Sequence, residues 1–508
     1  MIRKNPLATM VTLACLGGAA CSSDAPTATP PSVAATAAAS TPPAPTRPAT
    51  PIPTPPPADA ATTVPDTVVT PVPKAVKATC PNANGDGLTC WQVAVPADYA
   101  KPDGPTIDLA VTIHKADPTK WASPVLTLGG FVTFADWSAV DPIVVLKGHD
   151  AIVVDSRGAG TGRSAPLPLT CTDNDTLYAA QLNTLSPGPE LRALLKKCIE
   201  DADKGTSSLA SAIDHDVSAA DLAMVRKALG IDTWAITSRA LGLDTAVRLL
   251  DIDSAAVTSL VALVPQIAGT GPTPESANAA FAAFAADCAA TPACAANGDM
   301  NAIAGQLKDR PSTVKDPQSG ENITIPKAAG LSGIIVGISD PALVSIVPGL
   351  LGSGGTAAGA DALASVYASR PPYIDPIYLA SLCQDVAYVQ PARDTWGSSD
   401  RGVFGARTWA ALCDAAGPVP QVHVPHPISG DIPVFAIVVD YDHRNSVAAA
   451  RSIFTGMPNT TIVTVPGIAS VRVQLADCYV NTLTAFFDGP SKPVDASCLT
   501  SPAAKSLG

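Results

Sequence analysis

Residues 228–250 read A-L-G-I-D-T-W-A-I-T-S-R-A-L-G-L-D-T-A-V-R-L-L, and the alternation inside that stretch sets the fold class. Its first residues close a helix that begins near Ser218. Leu222, Val225 and Leu229 share one face of that helix, and Gly230 supplies the left-handed residue on which helices commonly end. Trp234–Ser238 is then a short apolar run suited to a buried strand, and Leu241–Leu250 returns to helical spacing.

The same rhythm extends in both directions. Strands are expected at Ile107–His114, Pro124–Leu128, Ala151–Asp155, Val257–Val264, Pro433–Asp440 and Thr461–Val465. Several are almost continuously apolar, as parallel strands buried on both faces are. Strands alternating with amphipathic helices give an α/β chain with a doubly wound, mostly parallel sheet. Between Val264 and Pro433 the texture changes to an Ala-rich helix at Ser276–Ala286 followed by Gly- and Pro-rich segments. Residues 269–430 are therefore expected to be an inserted helical cap. It would divide a core of residues 78–268 and 431–508 and roof a concave ligand site at the sheet's C-terminal edge. The Gly-rich run Leu351–Thr356 follows no strand–helix phosphate pattern.

The N-terminal end reads as an export signal. Arg3 and Lys4 precede an apolar run too short to span a bilayer, and polar residues follow at once, so residues 1–20 form a signal peptide. Small residues leading to Cys21 resemble a lipobox, which implies an acylated Cys21 on the outer face of the membrane. Cys15, or plain cleavage near Ala20 with release, are the alternatives. Residues 21–77, rich in Pro, Ala and Thr, have no apolar face able to offset the entropy of ordering and are expected to be a disordered stalk. The remainder, 47% hydrophobic and 15% charged over the whole chain, is globular, and a net charge of −12 argues against nucleic acid as a partner. Contact with the membrane is expected through the lipid anchor only.

Of the 12 cysteines, ten remain once Cys15 and Cys21 are set aside. An even number in an exported chain implies disulfides, and the spacing pairs neighbours: Cys80–Cys90, Cys171–Cys198, Cys288–Cys294, Cys383–Cys413 and Cys478–Cys498. No CxxC and no His pair stands at ligand spacing, so the residues imply neither a metal nor a cofactor.

Three stretches resemble a known family. D-S-R-G-A-G-T-G-R-S-A-P (Asp155–Pro166) is similar to a turn of the α/β-hydrolases, and Ala220–Asp232 to the helix leading into their nucleophile strand. I-P-V-F-A-I-V-V-D-Y-D, then V-P-G, then Cys478 and Cys498, resemble the C-terminal part of secreted tripeptidyl-aminopeptidase-like hydrolases. The resemblance spans Cys80 to Cys498 and implies an α/β-hydrolase fold of serine hydrolase or peptidase ancestry. It also implies where the chemistry should sit. The nucleophile serine of G-x-S-x-G falls on Ala240 within Ser238–Gly242. The acid falls on Asp442. The histidine base falls on Ser470 in P-G-I-A-S. The oxyanion donors fall on Gly129, Gly130 and Leu241, with Phe131 and Val132 in place of further family residues. A methyl group cannot attack a carbonyl and a hydroxyl cannot act as general base near neutral pH. The expectation is a catalytically silent binding protein for a peptide, an apolar small molecule or an envelope protein. The alternative is an active serine hydrolase or exopeptidase with a relocated triad, built from such residues as Ser238 and His443, or His423 and His426.

Overall fold

The computed structural model describes residues 73–80, 88–116, 123–129, 148–157, 215–240, 242–267, 274–307, 312–315, 322–325, 334–335, 337–352, 361–362, 428–443, 446–469, 475–501 and 507. Those from Val69 onward belong to one compact unit. Its strands are β1 (Ala75–Ala78), β2 (Leu88–Pro96), β3 (Thr106–His114), β4 (Val125–Leu128), β5 (Ala151–Val154), β6 (Trp234–Arg239), β7 (Val257–Leu263), β8 (Ser312–Lys315), β9 (Asn322–Ile325), β10 (Val434–Val439) and β11 (Thr460–Val465). The helices are α1 (His215–Ala228), α2 (Gly242–Asp253), α3 (Pro274–Ala290), α4 (Pro292–Ala295), α5 (Met300–Leu307), α6 (Val347–Gly352), α7 (Val447–Ile453), α8 (Ala476–Asp488) and α9 (Ser497–Thr500).

Nine strands form one sheet in the order β1-β2-β3-β5-β4-β6-β7-β10-β11, while β8 and β9 make a separate hairpin. β1, β2 and β3 run antiparallel at one edge, and every pairing from β5 to β11 is parallel. Alternate residues serve opposite faces, as the period of a strand dictates. On β6, Trp234 and Ile236 pack with Leu222 of α1 and Leu243 of α2, whereas Ala235 joins Tyr479, Leu483 and Phe486 of α8. Val434 and Ala436 of β10 divide from Phe435 and Ile437 in the same way. Both faces are covered, which is why the parallel strands are apolar throughout. α1 ends as the sequence implies: Gly230 has φ +66°, Ile231 N–H donates to Arg226 O (3.1 Å) and Gly230 N–H to Lys227 O (3.1 Å), the paired bonds of a Schellman cap.

Two sequence expectations need correction. The boundary set at residue 77 falls inside β1, which pairs with β2 from Ala75↔Val93 to Ala78↔Cys90. Four residues with no apolar face become a strand because their backbone groups find partners on β2 and the Cys80–Cys90 bridge holds the two segments together. The expected strand set also lacked β2 and the β8–β9 hairpin. Cys288–Cys294 and Cys478–Cys498 are bridged as well; Cys171–Cys198 and Cys383–Cys413 lie outside the described residues, as does Cys21.

One buried ionic knot ties this frame together. Arg157, in the turn after β5, donates from Nε to Asp221 Oδ2 of α1 (2.8 Å) and from a terminal nitrogen to Asp221 Oδ1 (2.5 Å). Its remaining donors reach Ala97 O (2.9 Å) and Pro96 O (3.1 Å), and Tyr99 Oη donates to Asp221 Oδ1 (2.7 Å). Burial pushes the Asp221 carboxyl up, and the Arg157 and Tyr99 contacts oppose that push.

Candidate active site at the turn between β6 and α2

Strand order reverses at β4: β5 lies on one side of it and β6 on the other. Leu128 of β4 and Ser238 of β6 are register partners, so the C-terminal ends of these strands open side by side at the switch point, where ligands bind in open α/β sheets. The chain leaves β6 through Ala240 at φ +47°. A residue with a Cβ costs roughly 1–2 kcal/mol in that left-handed region, so the surroundings must hold it there. Ala240 N–H donates to Leu263 O (3.1 Å), and Ala240 O accepts from Leu243 N–H (3.1 Å) and Gln266 N–H (3.4 Å).

Gly242 then starts α2 with no clearance. A Cβ there would lie 1.9 Å from Gly129 O and 3.3 Å from Leu128 O. Only hydrogen fits, because α2 begins directly against the end of β4. Gly242→Ala should force the two segments apart and cost roughly 1–3 kcal/mol, read as a lower denaturation midpoint with an unchanged slope against denaturant.

The other sequence-assigned positions fall as follows. Asp442 is buried (1% exposed) in the turn after β10, its N–H donating to Val439 O (3.3 Å). Gly129 closes β4. Gly130, Leu241, Phe131, Val132, Ser470, His423 and His426 lie outside the described residues. Ser238 is not available as a substitute nucleophile in this arrangement. It is 1% exposed within β6, and its hydroxyl donates to Val261 O (3.3 Å). His443 instead meets a residue that sequence reasoning missed: Ser339 Oγ lies 2.8 Å from His443 Nδ1 and 2.9 Å from both Ile335 O and Tyr441 O. One hydroxyl proton serves one of those carbonyls, and the oxygen can accept from the imidazole N–H. Ser339 is 104 residues away in sequence, and no local signal marks it.

Among the described residues, no group of three or more His, Cys, Asp or Glu could hold a metal. A cavity of about 20 Å³, room for about one water, is lined by Asp155, Arg157, Ser218, Asp221, Gly242 and Thr245 among others, and not by Ala240 or Asp442.

No protein-family model matches the chain. Curated relatives include "Carboxylesterase B" of Mycobacterium tuberculosis and "Putative hydrolase Mb2247c" of Mycobacterium bovis. Each is 26% identical over 475 residues, covering 80% of this chain and 86% of the relative. Among solved structures, a thermophilic esterase from Thermogutta terrifontis is 14% identical (79% of this chain, 99% of that one, TM-score 0.35). A proline iminopeptidase of Mycobacterium smegmatis is 13% identical (79% and 98%, TM-score 0.36). The architecture rests on the sheet itself: its order, its antiparallel edge, and the strained strand-to-helix turn at the switch point.

The chain has an α/β-hydrolase fold. The strained turn after β6 has Ala240 at its apex, at φ +47°. The apex of that turn carries a methyl group, and Gly242 beyond it is pressed against Gly129 O.

Proposed function

We propose that this α/β-hydrolase chain is a catalytically silent relative of the tripeptidyl-aminopeptidase-like hydrolases that binds a peptide, an apolar small molecule or a protein partner. The observation that carries the reading is Ala240 at φ +47°. The backbone of a nucleophile turn is maintained at a cost, and the side chain that would use it is a methyl group. Ser470 at the base position adds a second, independent loss. Fold alone does not decide function, and the test is direct: a fluorophosphonate probe should leave the purified wild-type protein unlabelled.

A second reading, an active hydrolase with a rebuilt triad, draws support from the names of the curated relatives and from the Ser339–His443 contact. Under that reading the probe labels Ser339.

Export completes the proposal. The mature chain starts at an acylated Cys21, which tethers it to the outer face of the membrane. Mass spectrometry of the mature N-terminus should find a lipid-modified cysteine; an unmodified residue there would remove the anchor from the proposal.

A further inference from the structure

We propose that the turn Asp440–His443 is a proton-sensitive latch that fastens the helical insertion to the C-terminal end of the sheet. This inference stands whether or not the turn at Ala240 is catalytically silent.

The contacts come from consecutive residues and reach both ends of α3. Tyr441 is fully buried within the apolar cluster of the insertion, beside Phe281, Phe284 and Ile338. Its ring meets Phe284 edge-on (centroids 5.8 Å apart, 79° between planes), and its hydroxyl donates to Asp287 Oδ2 (2.9 Å). At the other end of α3, Ser276 Oγ donates to His443 O (2.5 Å). Ser339, between α5 and α6, reaches Tyr441 O and His443 Nδ1. On the sheet side, Asp440 Oδ1 accepts from Gly467 N–H (2.7 Å) in the turn after β11. The turn after β10 is thus held to the core through Asp440 and to the insertion through Tyr441 and His443.

Protons enter through Asp440. Burial, with the charge of Asp287 adding to it, pushes the Asp440 carboxyl up to about 6, against the N–H groups of Gly467 and Ile468 that favour its ionised form. Asp287 from α3 and Tyr441 beside it are coupled to Asp440, and Asp442 and His443 follow in the same turn. Burial holds the Tyr441 hydroxyl protonated, and the charge this inference follows is that of Asp440. With its carboxyl raised in the latched state, Asp440 binds its proton more tightly there than in an opened, solvated state. Latching is therefore favoured as pH falls through about 6 and weakened above that value. Below about 4 both states are protonated and the dependence ends.

Hydrogen–deuterium exchange on the full disulfide-bonded chain at pH 5.0 and 7.5 (conditions set around the roughly pH 6 midpoint), corrected for intrinsic amide rates, tests this, with α1 as internal reference. The expected result is greater protection of α3 at the lower pH with α1 unchanged. Asp440→Asn should abolish that difference and keep α3 protected at both pH values. Tyr441→Phe, which removes one buried hydrogen bond, should lower α3 protection about fivefold without moving α1. The proposal is overturned if wild-type α3 shows no pH response, if Asp440→Asn retains it, or if Tyr441→Phe leaves α3 unmoved or lowers α1 and α3 equally.

Discussion

Ala240→Ser on its own leaves ester and peptide turnover at the wild-type level, and Ala240→Ser combined with Ser470→His raises it by roughly 10²-fold, the low end of what a positioned general base contributes. The single variant restores a hydroxyl on a turn already bent to present it, with φ +47° at residue 240 and α2 starting against Gly129. That hydroxyl still has no base to take its proton, because residue 470 is serine. On the proposed assignment the double variant adds the base, with Asp442 as the acid. On that same assignment recovery stays partial, because Phe131 and Val132 follow Gly129 and Gly130. Wild-type turnover stays at or below the roughly 10³–10⁴ over water that a hydrolase scaffold retains without its triad. Steady-state kinetics on a p-nitrophenyl ester and an aminoacyl anilide measure all of these. Robust wild-type turnover that disappears in Ser339→Ala or His443→Ala would replace the silent reading with the rebuilt triad.

Removing either partner of the Arg157–Asp221 pair is expected to cost about 3–5 kcal/mol, because each leaves the other as an uncompensated buried charge. The knot joins the end of β2, the turn after β5 and helix α1, so its loss loosens three segments of the frame together. Arg157→Ala should also make stability depend on pH. Without the guanidinium, nothing but Tyr99 opposes the burial that pushes the Asp221 carboxyl up, so the orphaned acid takes a proton at mildly acidic pH and the variant loses more as pH rises. Joint replacement by apolar residues of similar volume, Arg157→Met with Asp221→Leu, should recover most of the loss. Denaturant titrations at pH 5 and 8 separate these cases. A loss under about 1 kcal/mol for Arg157→Ala would mean that the pair acts as a solvated surface ion pair does.

The parallel strands were legible because their burial is written into their residues. V-F-A-I-V-V is buried at all six positions of β10, and such a run has no other comfortable place. The turn at Ala240 was legible through the resemblance, because A-L-G-I-D-T-W before it and D-T-A-V-R-L-L after it fix the register from both sides. β1 was not, since A-V-K-A owes its extended form to β2 and a disulfide rather than to its own side chains. The latch was also hidden. Tyr441 finds Asp287 across 154 residues and Ser339 across 102, and nothing near any of the three announces the others. Ser238 shows the opposite hazard: a hydroxyl two residues from the turn looks free in sequence, yet the sheet engages it through Val261.

β1 has a mechanical consequence. Tension applied from the N-terminal side reaches the sheet through its edge strand, and four residue pairs hold β1 to β2. Stripping them would ordinarily pass the load along the chain beyond Cys80 and on into β2. The Cys80–Cys90 bond carries the load directly to the residue of β2 that faces Ala78. A pull can therefore peel away one short strand, after which it acts on a strand hydrogen-bonded to β3 along nine residue pairs.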